Sequence, residues 1–286
     1  MSDQTAKILG EVPRKNQRTS VIISVTGFDV FIEIDGDGPY MIMTHGLGAN
    51  TNVFYPLMEI FKKTHTVVRI DWPGHGHSGL NNVAEKVTMS VLVAILRGVM
   101  DHLTISTAIL VGHSAGGIVS MMFAAQYPAR VNAMAVIGAG RTRAVESPAK
   151  SFTLQLSHAA RSRGLCWHVD ERVDYNIPPG TVGLSRALLR AVTSQTDPEG
   201  YAQMCDALCD DTHVDPNYSL ISCPTCVIGG LEDNISPVHV TDELVGLIAS
   251  SGKAPLRYLL NTGHMMIIED VHGTASAIDD LLKQLP

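Results

Sequence analysis

Apolar positions in this chain come in short runs set apart by polar, glycine-marked stretches, and the rhythm of those runs changes twice. Val21–Val25 and Val30–Ile34 are β-branched and roughly alternating. They meet around Gly27 and are closed by Asp35-Gly-Asp-Gly-Pro39, which predicts an opening hairpin. Residues 1–20 read as a loose tail. A strand-helix alternation follows: apolar Tyr40–Thr44, a glycine-rich loop, helical spacing over Phe54–Lys62, apolar Thr66–Ile70, and an amphipathic run over Val87–Leu103. Ala108–Val111, a helix over Gly116–Gln126 and Ala133–Ile137 continue it. Strands alternating with helices of this length predict a mostly parallel sheet covered on both faces, with ligands at the carboxyl ends of the strands.

Between Gly140 and Ser222 the alternation fails. Arginines are scattered, Ile177-Pro-Pro-Gly180 interrupts the chain, and only patches such as Leu184–Val192 and Tyr201–Leu208 have helical spacing. This stretch reads as an inserted helical cap over 140–222, dividing a core of 21–139 and 223–286. The βα rhythm resumes with Thr225–Ile228, a helix over Val238–Ser250, a strand at Leu256–Leu260 and a last helix over Gly273–Leu285.

Composition narrows the function. With 286 residues, 45% of them hydrophobic and 17% charged, the chain can bury a large core. A net charge of −7 argues against nucleic acid or an anionic membrane as partner, since both are read through Lys and Arg clusters. A small molecule is the expected partner, and a homodimer stays open. Five cysteines at irregular spacing suit reduced thiols, and the first ten residues hold no apolar stretch of signal-peptide length. Both features predict a cytoplasmic protein. Cys205, Cys209, Cys223 and Cys226 could be read as a zinc site. However, the first pair falls on a cap helix and the second straddles the start of a buried strand, so packed thiols and no metal are expected.

The sharpest chemical signal is Gly112-His-Ser-Ala-Gly116, placed between an apolar strand and a helix. A nucleophile presented on such a strained turn needs small neighbours two positions to either side, and the helix behind it aims its N-terminal amides at a developing oxyanion. Ser114 is therefore the expected nucleophile. A serine hydroxyl needs a base, and the base needs an acid to fix its tautomer. On an elbow of this kind the order along the chain is serine, acid, histidine. His264 follows the strand Leu256–Leu260 and is the expected base. Asp233 follows the strand ending at Gly230 and is its expected carboxylate, with neighbouring Glu232 as rival and Asp206, Asp210 and Asp211 as weaker ones. The oxyanion donors would be the backbone N–H groups of Ala115 and, in His45-Gly46-Leu47-Gly48, of Leu47. His113 is expected to point into the core, His45 to brace its loop, and His75 and His77 to pack or hydrogen-bond. Arg141 and Arg143, near the site mouth, read as solvated hinge residues of the cap or, alternatively, as contacts for a substrate carboxylate, and Trp167 could line the pocket or hold the cap to the body. Met121, Met122, Met265 and Met266 read as core filler.

Five motifs in this order carry a resemblance: His45-Gly-Leu-Gly48, Asp71-Trp-Pro-Gly-His-Gly-His-Ser78, Gly112-His-Ser-Ala-Gly-Gly117, Gly230-Leu-Glu-Asp233, and Gly263-His-Met265 followed by Glu269. Over Val21 to Leu285 the sequence resembles the α/β-hydrolase superfamily. The resemblance implies an α/β-hydrolase fold: an eight-stranded, mostly parallel sheet flanked by helices, with an inserted helical cap. Serine at position 114, where an aspartate would imply a haloalkane dehalogenase or epoxide hydrolase, implies a serine hydrolase. Thr196-Asp-Pro-Glu-Gly-Tyr201 through Ala207, with Ile221-Ser-Cys-Pro-Thr225, resembles the end of the cap in 3-oxoadipate enol-lactonases and related carboxylesterases. The implied reaction is cleavage of a small ester or lactone through an acyl-serine, without a cofactor. Two alternatives stay open: carbon–carbon bond cleavage beside a ketone by the same three residues, and a low-turnover ligand receptor.

Overall fold

The computed structural model describes residues 18–80, 86–166 and 169–285. The chain opens with a hairpin of β1 (Thr19–Val25) and β2 (Phe28–Asp35), and β2 runs antiparallel to β4 (Thr66–Ile70). From there the sheet is parallel: β3 (Tyr40–Thr44), β5 (Ala108–His113), β6 (Val131–Ile137), β7 (Thr225–Gly230) and β8 (Leu256–Leu260). The order across the eight strands is β1-β2-β4-β3-β5-β6-β7-β8. This is the α/β architecture that the strand-helix alternation predicts.

The central strands read as continuous apolar runs because both faces of the sheet are buried. Successive side chains serve opposite layers. Ile42, Leu110, Met134 and Val136 pack with α2 (Met89–His102), α3 (Ala115–Gln126) and α8 (Val238–Ala249). Their neighbours Met41, Met43, Ile109, Val111, Ala133 and Ala135 pack with α1 (Tyr55–Phe61), the short α9 (Met266–Glu269) and α10 (Val271–Leu282). Helix α3 is buried along almost its whole length, including Gly116, Gly117 and Ser120, so its close seat on the sheet depends on small residues. A Cβ on Gly116 would lie 2.1 Å from the Thr44 carbonyl oxygen.

Among the described residues four α-helices stand between β6 and β7: α4 (Pro148–Arg163), α5 (Val169–Asn176), α6 (Gly183–Ser194) and α7 (Pro198–Cys209). Leu156 and Ala160 of α4 meet Tyr201, Ala202 and Cys205 of α7 in a small core of their own. Val173, Leu189 and Val192 of α5 and α6 join the main core beside Met265. Of these helices the hydrophobic spacing marks α6 and α7 but not α4 or α5. Helix α4 buries Thr153, Leu156, Ser157 and Ala160, a face with a single large apolar side chain, and α5 buries only Val169 and Val173. Among the described residues no helix is long and apolar enough to cross a membrane.

Candidate active site

Strand β5 hands over to α3 through Ser114, whose backbone is at φ 53°, ψ −121°, a conformation costly for any residue with a Cβ. Surrounding bonds hold it there. The Ser114 N–H donates to the Ile137 carbonyl at 2.8 Å, and its own carbonyl accepts from Gly117 N–H at 2.9 Å. Its glycine neighbours are sterically required, since a Cβ on Gly112 would lie 2.5 Å from the Gly116 carbonyl oxygen. From β3, Gly46 comes so close that a Cβ there would lie 2.6 Å from Ser114 Cβ.

Two loops at the carboxyl ends of β7 and β8 bring up the partners. His264 Nδ1 donates to Asp233 Oδ2 at 2.9 Å, and both side chains are buried. With Nδ1 spent as a donor, the basic nitrogen of the neutral ring is Nε2. The other carboxylate oxygen, Asp233 Oδ1, accepts from the Ile235 and Ser236 amides at 2.7 and 2.9 Å. Burial pushes the Asp233 carboxyl up, but the His264 ring and the two amides outweigh it and leave it below the usual range. Glu232, the rival carboxylate, is exposed.

The backbone of His264 is held on three sides. Its N–H donates to the Asn176 carbonyl at the end of α5, and its carbonyl accepts from His113 Nε2, each at 2.8 Å. The third hold is Glu269: one carboxylate oxygen accepts the Met265 amide at 2.8 Å, the other the Gly263 amide at 3.0 Å. The two residues flanking His264 thus share one side chain. In the sequence Glu269 stands only as part of a motif; its spacing, one helical turn beyond Met265, is the signal for this contact. His113 is buried as expected, but it packs beneath His264, with ring centroids 4.9 Å apart, rather than into the general core. Burial pushes its pKa down to about 3, so it is a neutral donor.

The His45–Gly48 loop is braced by histidines. His45 Nε2 accepts from the Trp72 amide at 3.0 Å, and His75 Nε2 accepts from the Gly48 amide at 3.3 Å. Asp71 caps the same region by accepting the Thr51 and His77 amides, at 2.6 and 2.9 Å. Burial raises the Asp71 carboxyl to about 6 against that pull. Among the described residues, neither the Leu47 nor the Ala115 N–H has a hydrogen-bond acceptor.

Ser114, His264 and Leu47 line a cavity of about 360 Å³ between the sheet and the inserted helices, a size suited to a small organic molecule. Its far wall includes Arg143, Phe152, Arg172 and Tyr175. Arg141 does not reach it. That side chain turns outward and is locked by charge to Asp215 and Glu243, so of the two arginines singled out in the sequence Arg143 lines the cavity and Arg141 does not. Arg172 was not visible as a candidate because α5 has no strong apolar pattern to orient it. Trp167 lies outside the described residues. The cysteine pairs do not converge: Cys205 packs between α4 and α7, Cys223 and Cys226 on opposite faces of the sheet. Among the described residues no group of three His, Cys, Asp or Glu side chains could hold a metal ion.

Known proteins agree with this architecture. The alpha/beta hydrolase fold family pattern matches residues 39–163. The chain is 26% identical over 251 residues to 3-oxoadipate enol-lactonase 2 of Acinetobacter baylyi, covering 87% of this chain and 90% of that one. The crystal structure of the enol-lactonase from Burkholderia xenovorans superposes with a TM-score of 0.83 at 26% identity, over 92% of this chain and all (100%) of the other. A thermophilic esterase from Thermogutta terrifontis has the same fold, with a TM-score of 0.83 at 22% identity over 93% and 98% of the two chains. By its strand order, the serine turn at the head of α3 and these similarities, the chain has the α/β-hydrolase fold.

Proposed function

We propose that this chain is a serine hydrolase that cleaves a small carboxylic ester or lactone through an acyl-serine on Ser114. The observation that carries the reading is the strained Ser114 sharing one cavity with His264, whose far nitrogen is bonded to Asp233. Strain at a non-glycine residue, held by packed glycines, has its usual reason in a presented reactive group.

The steps follow from these groups. As Ser114 Oγ attacks the substrate carbonyl carbon, its proton passes to His264 Nε2. Asp233, already ionised and held by two amides, orients the ring and stabilises the imidazolium that forms. The carbonyl oxygen becomes an oxyanion facing the unused Leu47 and Ala115 N–H groups at the head of α3. Collapse expels the alkoxide, which takes the proton from His264 and leaves an acyl-serine. Water, deprotonated by His264, repeats the sequence and releases the acid. In a lactone both products remain one molecule, the ring-opened hydroxy acid.

The similarity to enol-lactonases over most of the chain supports a lactone or an ester over a carbon–carbon bond as the target. The experiment is steady-state hydrolysis of p-nitrophenyl acetate and of a vinylogous 1,5-diketone by purified protein. Turnover of the ester with none of the diketone supports the reading. Turnover of the diketone alone would replace it with carbon–carbon bond cleavage.

A further inference from the structure

The wall of the cavity that faces Ser114 carries two positive charges with no negative charge to meet them. Arg143 stands on the loop between β6 and α4, and Arg172 on α5. Among the described residues neither guanidinium pairs with a carboxylate. Four other arginines of the same region behave differently: Arg141 pairs with Asp215 and Glu243, Arg161 with Glu199 and Asp206, Arg186 with Asp174, and Arg190 with Asp170. Local acids are thus spent on the outside of the inserted helices, and the two inward arginines are left to the cavity.

Both are held in place by neutral partners. Arg143 donates to Thr153 Oγ1 of α4 at 2.6 Å, and its backbone N–H reaches the Leu208 carbonyl of α7. The Arg172 guanidinium carbon sits 5.5 Å from the Phe152 ring centre and 5.4 Å from that of Tyr175. Aromatic faces orient a guanidinium without neutralising its charge, and the Tyr201 hydroxyl, the hydrogen-bond partner of Arg172, is likewise uncharged. A half-buried cation without a counter-ion is costly, and burial with the nearby Arg172 charge pushes the Arg143 guanidinium down. A ligand carboxylate removes that cost.

We propose that Arg143 and Arg172 form a carboxylate clamp, so that the substrate is an ester or lactone bearing a free carboxylate remote from the carbonyl attacked by Ser114. This rests on the hydrolase reading of Ser114. In a cavity of about 360 Å³ the two groups belong to one small molecule. Guanidinium forks bind carboxylates through paired N–H···O bonds, which fixes orientation as well as affinity. The clamp therefore also sets which carbonyl of a multifunctional substrate meets the serine.

The test compares p-nitrophenyl hydrogen glutarate with p-nitrophenyl valerate, esters of matched acyl length that differ by a terminal carboxylate. The ratio of their kcat/KM values is expected to favour the acid ester in the wild type and to fall about 10- to 100-fold in Arg143→Gln and in Arg172→Gln, the loss of one charge-assisted contact. A wild-type preference for valerate, or an unchanged ratio in both variants, overturns the clamp. On wild-type protein alone, glutarate should inhibit valerate hydrolysis competitively while glutaramide, its uncharged counterpart, does not; equal inhibition overturns the proposal. If neither ester is hydrolysed, the hydrolase reading fails separately, and the clamp is then read by calorimetry. Glutarate binding that is lost in the Arg143→Gln, Arg172→Gln double variant supports the clamp, and no binding to wild type refutes it.

Discussion

Gly46→Ala probes the junction between the His45–Gly48 loop and the serine turn. The added Cβ would lie 2.6 Å from Ser114 Cβ and 3.2 Å from Ser114 Oγ, where about 3.5 to 4.0 Å is needed. One side must therefore retreat by roughly 1 Å. Ser114 cannot, because its turn is fixed by the Ile137 hydrogen bond and by the packed glycines at 112 and 116. The loop is braced as well, by the bond from the Trp72 amide to His45 Nε2 and the bond from the Gly48 amide to His75. Overpacking between two rigid parts costs about 1 to 3 kcal/mol, which corresponds to roughly 2 to 10 °C in Tm for a chain of this size. Because the loop carries the Leu47 amide, a displacement of roughly 1 Å should lower kcat/KM for p-nitrophenyl acetate about 100-fold. Thermal melting and steady-state hydrolysis measure the two effects on one sample. A variant with wild-type Tm and activity would refute the close approach and the role given to Leu47.

Three further outcomes follow from single side chains. Glu269→Gln can accept only one of the Gly263 and Met265 amides and sets its NH2 against the other; a loss of about 1.5 to 3 kcal/mol in urea unfolding is expected, with kcat falling more than KM rises, and a wild-type urea midpoint would contradict the clamp on His264. Asp233→Asn keeps its oxygen on the Ile235 and Ser236 amides and turns its NH2 toward His264, which forces the proton onto Nε2; kcat should fall roughly 1,000- to 10,000-fold, and retention of a tenth of activity would exclude Asp233 as the orienting group. Asp71, raised from 3.8 to about 6 by burial, binds its proton more tightly folded than unfolded, so wild-type stability from this group falls as pH rises from about 4 to 6. Asp71→Asn removes that dependence: the wild-type minus variant stability should drop by at most about 3 kcal/mol between pH 4 and 7, and a difference that is flat or rises with pH would be the contrary result.

The sheet was legible because every central strand is buried on two faces and spells its position as an unbroken apolar run. Leu256–Leu260 is legible to the residue, and the hairpin is bounded sharply at Gly27 and the Asp35–Pro39 turn, but its strands start two residues earlier than their apolar runs, so that β1 opens at Thr19 inside the expected tail. Ser114, Asp233 and His264 could be picked out because each follows such a strand, and sequence order supplied the pairing that the Asp233–His264 hydrogen bond displays. The inserted helices resisted for the opposite reason. Helix α4 packs on α7 through Leu156, Ala160 and Ser157, a face with a single large apolar side chain that makes no hydrophobic pattern, so neither α4 nor α5 stands out and Arg172 has no face to be assigned to. Arg141 cannot be told from Arg143 in the sequence because its partners, Asp215 and Glu243, lie far along the chain and become neighbours only in the folded state. Local pattern carries strands and the turns between them; it does not carry which of two nearby arginines faces a cavity built by four separate helices.

The central claim is that Ser114 attacks a carbonyl and carries the acyl group. It is tested most directly by mixing the protein with p-nitrophenyl acetate, quenching in acid within milliseconds, and mapping the added acetyl by peptide mass spectrometry. The expected result is an acetyl group on the peptide containing Ser114, formed and lost at rates that match turnover, and neither adduct nor turnover in Ser114→Ala. Hydrolysis that persists in Ser114→Ala, or an acetyl group that turns over at catalytic rate on another residue, would contradict it.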